Sequence, residues 1–245
     1  IRANYGSKLS MIDHWLGEVL DVMDDQDLWK DTLFIVCTDH GHYLGEKDIF
    51  GKPKVMQYET LGHTPLLIHY PGVAPGEIHA LTTNVDIHAT LADYFDIQVE
   101  HKTHGYSMLP LIDGSKSSVR DWAIGGIFGN WVQIQDGRFK YARAPVDSNF
   151  PLAMWSNRWS TMPIPAFPNL RLPNPDHRAY LDYMPGSEIP VIRQPFAEGD
   201  LLPYWSLDAP INDHQLYDID NDAEENNNLC GQAEESRMLE MIHSA

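Results

Sequence analysis

Residues 32–52 read TLFIVCTDHGHYLGEKDIFGK, and this stretch decides how the rest of the chain is interpreted. Residues 33–38 are apolar or β-branched apart from Cys37, a residue type that is itself usually buried. Such an unbroken run is typical of a strand that is covered on both faces, as in a parallel sheet. The run stops abruptly at Asp39, His40 and Gly41. We therefore predict a buried strand followed by a polar loop.

The polar loop lies where α/β proteins bind ligands, because ligands collect just beyond the carboxyl ends of strands in open α/β sheets. Asp39 and His40 offer a carboxylate and an imidazole, and Gly41 lets the backbone turn sharply. This combination predicts a site for a metal ion or a bound oxyanion. The alternative is an ordinary polar turn, since turns favour Asp and Gly in any case.

Further short phrases follow the loop in a fixed order: Leu-Gly-Glu at 44–46, Gly-Lys-Pro at 51–53, Tyr-Glu at 58–59, Thr-Pro-Leu-Leu-Ile at 64–68 and Tyr-Pro-Gly at 70–72. Together with Asp39-His40-Gly41, this order resembles the sulfatase family of the alkaline-phosphatase-like superfamily of metal-dependent ester hydrolases. In the Asp-His pair and the spacing to Lys52, the chain is most similar to arylsulfatase and phosphonate monoester hydrolase members. The phrase at 216–218 with 228–229 resembles the family's C-terminal part, whereas residues 145–203 hardly resemble it.

The resemblance assigns roles to three side chains. It implies that Asp39 and His40 bind one divalent metal ion and that His40 also contacts the ester. It implies that Lys52 holds the sulfuryl or phosphoryl oxygens, which an ammonium group in a dry pocket would stabilise; an ordinary surface lysine is the alternative. The family favours Ca²⁺, while a histidine ligand suits Mn²⁺ or Zn²⁺ better, and Mg²⁺ is a further alternative.

Two more histidines are weaker site candidates. His42 lies at a position that varies in the family, and a place on the rim of the site fits it best. His63 stands where many sulfatases have an arginine. It is either a tolerated change or an additional ligand in a two-metal site of the phosphatase type.

The pattern of the whole chain predicts an α/β fold: part of a mainly parallel sheet flanked by helices, followed by a small antiparallel C-terminal subdomain. Apolar residues at helical spacing predict a helix over 5–26 that buries Leu9, Ile12, Leu16, Val19, Leu20 and Met23. Asp136-Gly137 predicts a β-hairpin. We expect residues 1–115 to be the C-terminal part of the catalytic domain and 116–245 to be the subdomain. The proline- and tryptophan-rich excursion at 145–203 either wraps the core or lines a cleft or a homo-oligomer interface, for which Trp155, Arg158, Trp159 and Arg178 are suited.

The resemblance implies hydrolysis of a sulfate ester by a formylglycine nucleophile. Neither cysteine begins the family's Cys-x-Pro-x-Arg motif, because Cys37 is followed by Thr-Asp-His and Cys230 by Gly-Gln-Ala. We therefore expect the nucleophile in a missing N-terminal half of the same enzyme. The alternatives are a phosphonate monoester or phosphodiester hydrolase of the same superfamily and a non-catalytic binding domain with the sulfatase fold.

The composition of the chain limits the classes of partner that it is expected to bind. A net charge of −18 argues against a nucleic-acid surface and fits a small anionic ester better than a polyanion. The sequence contains no run of 18 apolar residues, so it predicts no membrane span. Two cysteines do not make a disulfide framework. The sequence leaves open whether the protein is cytoplasmic or periplasmic, because no signal region is visible.

Overall fold

The structure is a computed structural model that describes residues 1–52, 55–146, 149–157, 174–200, 202 and 213–245. Its helices are α1 (Arg2–Asp25), α2 (Glu59–Gly62), α3 (Val85–Tyr94), α4 (Leu109–Ile112) and α5 (Ala233–Ser244). Its strands are β1 (Phe34–Cys37), β2 (Tyr43–Leu44), β3 (Phe50–Gly51), β4 (Leu66–His69), β5 (Ala123–Gly126), β6 (Val132–Gln135), β7 (Phe139–Arg143), β8 (Leu152–Ser156), β9 (Tyr180–Tyr183), β10 (Pro190–Phe196) and β11 (Gln215–Asp218). In the described part of the chain, no helix combines the length and the apolar character that crossing a bilayer requires.

The chain divides into two units. The first consists of Ile1–Pro53, Tyr58–Ala80 and Met108–Val119, and the second of Lys54–Gln57, Leu81–Ser107 and Arg120–Ala245. The first unit holds α1, the strands β1 to β4 and the loop with Asp39 and His40. The expected division of the chain at residue 115 stays a prediction.

The strand that the apolar run at 33–38 predicts forms as β1, but it pairs antiparallel with β4, with Phe34 opposite His69 and Cys37 opposite Leu66. Every strand pairing that the described residues form is antiparallel, so the expected mainly parallel sheet is not seen in them. The prediction that β1 is covered on both faces is wrong for these residues, because its first three residues are only half-buried and Cys37 is exposed. The reason is that, among the described residues, β4 is the only strand that pairs with β1.

Helix α1 forms as predicted, but little of its apolar stripe is covered. Met23 is buried and Leu16 and Leu20 are half-buried, whereas Leu9, Ile12 and Val19 are exposed. The connection after α1 does pack onto the sheet, since the ring of Trp29 meets those of Phe34 and His69 edge-on. The Nε2 atom of His69 also lies 2.8 Å from the carbonyl oxygen of Trp29.

The second unit is built around the antiparallel sheet β11-β7-β6-β5. The hairpin predicted at Asp136-Gly137 joins β6 to β7: Gly137 adopts a φ of 96°, and the Asp136 carboxylate accepts hydrogen bonds from two following backbone amides. Helix α5 covers this sheet through a core of Ile134, Tyr141, Leu216 and Met238. Lys140 of β7 is also buried and forms an ion pair with Glu225 at 2.9 Å.

The excursion at 145–203 is ordered where it is described, as a second antiparallel sheet in the order β8-β10-β9. Across this sheet Arg193 lies opposite both Trp155 and Tyr180, and its guanidinium group stacks over their rings. Arg193 also forms an ion pair with Asp182. Arg158 and Trp159 lie outside the described residues, so the proposed interface or cleft stays a prediction.

A buried carboxylate anchors the start of α3. Asp86 is fully buried and accepts hydrogen bonds from the backbone amides of Thr83 and Tyr106, each at 2.8 Å. The Asp86 carboxylate also accepts hydrogen bonds from the guanidinium group of Arg120 and forms an ion pair with it. Arg120 is itself almost completely buried. The helix N-terminus, the 104–107 loop and the strand that follows Arg120 are therefore held by one side chain.

The ion pair between Arg138 and the nearly buried Asp218 makes the stability of the second unit depend on pH. The Arg138 guanidinium and a hydrogen bond from Asn221 lower the pKa of Asp218 to about 2. A carboxylate whose pKa is lower in the folded than in the unfolded state stabilises the fold above about pH 4, and this contribution is lost as pH falls toward about 2. We expect Asp218→Asn to flatten the decline of the melting temperature over this range. Asp213→Asn, at an exposed aspartate of the same unit, should keep the wild-type pH profile; equal slopes for all three proteins would refute the assignment.

Candidate functional site

Asp39 and His40 form a close pair directly after β1. The Nδ1 atom of His40 lies 2.8 Å from the carbonyl oxygen of Gly41, so Nδ1 carries the proton of this hydrogen bond. The other ring nitrogen, Nε2, lies 3.3 Å from Oδ2 of Asp39. In a neutral imidazole this nitrogen presents a lone pair to a carboxylate oxygen, an arrangement that a cation between the two relieves. The Asp39 side chain is 83% exposed, which leaves room for such a cation.

A backbone hydrogen bond holds the segment after His40 against α2. The amide of Gly41 donates a hydrogen bond of 2.8 Å to the carbonyl oxygen of Leu61. A Cβ atom on residue 41 would lie far inside van der Waals contact with the carbonyl oxygen of Thr60. Glycine is therefore required by the close approach of the two backbones, and this approach fixes the direction in which Asp39 and His40 leave the strand.

A tight hairpin returns the chain to this loop at Lys52. In its ladder Tyr43 lies opposite Gly51 and Leu44 opposite Phe50, so Lys52 directly follows the residue that pairs with Tyr43. The turn contains Gly45, Lys47 and Asp48 at positive φ, and Glu46 closes it by accepting a 2.6 Å hydrogen bond from the Leu44 amide. This hydrogen bond lowers the pKa of Glu46. The hairpin thus brings the exposed Lys52 back to the segment that begins with Asp39 and His40.

The two weaker candidates have other contacts. The His42 ring stacks on that of Tyr5 in α1, with centroids 5.3 Å apart. His63 is 80% exposed and its Nδ1 lies 3.1 Å from a carboxylate oxygen of Glu59. Within the described ranges no three His, Cys, Asp or Glu side chains are grouped closely enough to hold a metal ion. His63 is therefore not gathered with Asp39 and His40 into a three-ligand group there, and its role as an extra ligand stays a prediction.

The donor set of the pair fits a divalent metal in part. A carboxylate oxygen and an imidazole nitrogen converge, and the imidazole is oriented by a backbone carbonyl, as is usual for histidines that bind metals. Two side chains are fewer than the three or four protein ligands of a zinc site, and they supply only a small part of the six to eight ligands that Ca²⁺ takes. The described residues therefore contain a portion of a metal site at most.

A histidine–carboxylate contact lies in the excursion, outside the sequence motifs that resemble the family. Nδ1 of His177 lies 2.6 Å from the nearly buried carboxylate of Asp200, which Asn174 and the amide of Ala197 also contact. These hydrogen bonds lower the pKa of Asp200, the Ala197 amide having the largest effect. The two residues are separated by 22 others in a stretch without regular periodicity, so only the fold reveals the pair.

Comparison with known proteins gives a consistent result. Residues 1–97 match the family model described as Sulfatase. The chain is 32% identical over 152 residues to choline-sulfatase of Rhizobium meliloti (strain 1021), covering 60% of this chain and 29% of that protein. It is 26% identical over 236 residues to arylsulfatase K of Xenopus laevis, covering 96% and 34%. The chain thus spans about a third of the length of these curated relatives.

Solved structures show the same fold. A structure described as BT4656 in complex with its substrate D-glucosamine-2-N,6-O-disulfate superimposes with a TM-score of 0.58 at 17% identity, covering 95% of this chain and 37% of that one. The phosphonate monoester hydrolase of Agrobacterium radiobacter superimposes with a TM-score of 0.56 at 19% identity, covering 95% and 38%. At these identities the likeness concerns the α/β fold alone.

Proposed function

Because residues 1–97 match the Sulfatase family model, we propose that the chain belongs to the sulfatase family and that the whole protein hydrolyses a sulfate ester with the help of a divalent metal ion. The observation that carries this proposal is the family match, because the matched segment includes Asp39, His40 and Lys52. The convergence of the Asp39 carboxylate with Nε2 of His40 supports it, since this geometry suits two ligands of one cation.

Each of the three side chains has a distinct role in this proposal. Asp39 and His40 hold the metal, and the hydrogen bond from His40 to the Gly41 carbonyl keeps Nε2 directed at it. Lys52, returned by the hairpin, contributes positive charge to the oxygens of the transferred sulfuryl group. A bound metal would supply Lewis-acid chemistry that polarises an ester oxygen and favours an ionised nucleophile. The nucleophile itself is assigned to a part of the protein outside these 245 residues.

The finer assignments remain part of the same proposal. Ca²⁺ is the ion we favour from the family, with Mn²⁺, Mg²⁺ and Zn²⁺ as alternatives that metal analysis of the purified protein distinguishes. We assign residues 1–115 to the catalytic domain and β1 to a mainly parallel sheet that the remaining part of the domain completes. The substrate is a small anionic ester, consistent with the net charge of −18.

The proposal is tested by comparing ester classes on the whole protein. We expect kcat/KM for an aryl sulfate to exceed that for an aryl phosphonate monoester by at least about tenfold, a difference of 1.4 kcal/mol in transition-state stabilisation. A reversed preference would assign the protein to the phosphonate monoester and phosphodiester hydrolases instead. Absence of both activities in metal-loaded protein would favour a non-catalytic binding domain.

A further inference from the structure

The β2–β3 hairpin, which returns the chain to Lys52, is too short to be stable by itself. Its ladder contains two residue pairs, Tyr43 with Gly51 and Leu44 with Phe50. An isolated two-stranded hairpin is marginally stable at best in water. Lys52 directly follows this ladder and is exposed. The direction in which its ammonium group points therefore depends on what holds the hairpin in place.

The first residue of α1, Arg2, contacts this hairpin where β2 enters the turn. Its Nε atom donates a hydrogen bond of 2.5 Å to the carbonyl oxygen of Leu44. A Cβ atom on residue 45 would lie 2.5 Å from a terminal nitrogen of Arg2, so the guanidinium group lies directly against Gly45. The pKa of Glu46 is lowered mainly by the hydrogen bond from the Leu44 amide, and the nearby charge of Arg2 lowers it further. Arg2 therefore holds the strand and the turn together.

Tyr5 of the same helix contacts the other end of β2. Its ring stacks on that of His42, with centroids 5.3 Å apart and planes inclined by 24°. His42 directly precedes Tyr43, which is completely buried. Arg2 and Tyr5 are three residues apart in α1, so they lie on one face of the helix. This face contacts β2 at both of its ends, at His42 and at Leu44.

We propose that Arg2 and Tyr5 are positioning residues for Lys52: by holding both ends of β2, they set the direction in which the hairpin delivers the ammonium group. This inference rests on the role of Lys52 in the proposed function. Neither residue needs to touch the substrate, because each acts through the hairpin. A displacement of about 1 Å at a reacting group can lower a rate about a hundredfold. Exposed contacts contribute little to stability, so their loss should appear in the rate and not in the melting temperature.

A double-mutant cycle with Lys52 tests whether Tyr5 acts through this lysine. In the whole protein, Tyr5→Leu should lower kcat/KM for the sulfate ester about tenfold with KM nearly unchanged, because the ammonium group acts on the transition state. Tyr5→Phe keeps the ring and should restore most of the rate. In a Lys52→Ala background, Tyr5→Leu should cause less than about a twofold further loss, since the group that it positions is absent. Multiplicative losses, or a wild-type rate for Lys52→Ala, would overturn the inference.

The contact of Arg2 has its own matched pair of variants. Arg2→Gln removes the guanidinium group and should also lower kcat/KM about tenfold, again with little further loss in the Lys52→Ala background. Lys8→Gln removes a positive charge from the same helix six residues later and should keep the wild-type kcat/KM. Equal losses in the two single variants would assign the effect to the charge of the helix and overturn the role of Arg2.

Hydrogen exchange tests the same contacts without using activity. In the whole protein, peptides covering residues 42–52 should exchange their amide hydrogens at least about threefold faster in Tyr5→Leu and Arg2→Gln than in the wild type. Peptides covering α3 should exchange at the wild-type rate. Unchanged exchange of residues 42–52 in both variants would overturn the inference even in an active sulfatase. A wild-type protein that hydrolyses no sulfate ester would instead remove the proposed function, so the two failures are distinguishable.

Discussion

Replacing Asp39 with Asn in the whole protein should lower kcat/KM for its sulfate ester by more than about a hundredfold. Losing even an indirect contributor to a metal site commonly costs 10- to 100-fold, and Asp39 is proposed to be a direct ligand. The amide keeps the size of the side chain but removes the negative charge that faces Nε2 of His40 at 3.3 Å. The metal content of the purified protein should fall together with the activity, which links the loss to binding of the ion.

The matched control is Asp48→Asn. Asp48 is an exposed aspartate in the hairpin turn nine residues later, and Asn tolerates its positive φ of 57°. This variant should retain wild-type metal content and activity. Wild-type kcat/KM and full metal occupancy in the Asp39→Asn variant would exclude Asp39 from the metal site and remove the central role in the proposed function.

Replacing Asp86 with Ala should destabilise the chain by about 3–5 kcal/mol, the cost of removing one partner from a buried ion pair. The substitution leaves the Arg120 guanidinium buried without its counter-charge and removes the acceptor of the Thr83 and Tyr106 amides. Urea unfolding of the 245-residue chain, followed by circular dichroism, measures the free energy of unfolding. The transition of the second unit should move to lower urea concentration.

His88→Ala serves as the control for Asp86→Ala, since His88 is exposed on the same helix. It should change the free energy of unfolding by less than about 0.5 kcal/mol. Asp86→Asn keeps acceptor capacity on one oxygen and should fall between the two. A loss below about 1 kcal/mol for Asp86→Ala would show that the Arg120 guanidinium finds water or other partners when the carboxylate is removed.

Local patterns predict the elements of this fold well. The apolar run gives β1, helical spacing gives α1, and Asp136-Gly137 gives the β6–β7 hairpin. Each of these depends on side chains that are near one another in sequence. The burial of the same elements is not predicted well, since the exposure of Cys37 and Ile12 depends on which other segments are present to cover them.

Long-range polar pairs were beyond any local pattern. Lys140 lies in a strand phrase that gives no sign of an ion pair, and its partner Glu225 is one of several acidic residues in a turn. His177 and Asp200 are likewise joined only by the fold of the excursion. At the candidate site, the spacing of Asp39, His40 and Lys52 suggested a common location, and the β2–β3 register supplies a backbone reason for the return of Lys52.

The buried pair of Lys140 and Glu225 has a consequence for synthesis on the ribosome. Its two residues are 85 positions apart in the sequence. At a translation rate of 5–20 residues per second, Glu225 is therefore synthesised about 4–17 s after Lys140. During that interval β7 also lacks β11, and α5 has not been made to cover Ile134 and Tyr141. The nascent subdomain therefore passes through a period with an incomplete apolar sheet, in which it is a natural client for chaperones.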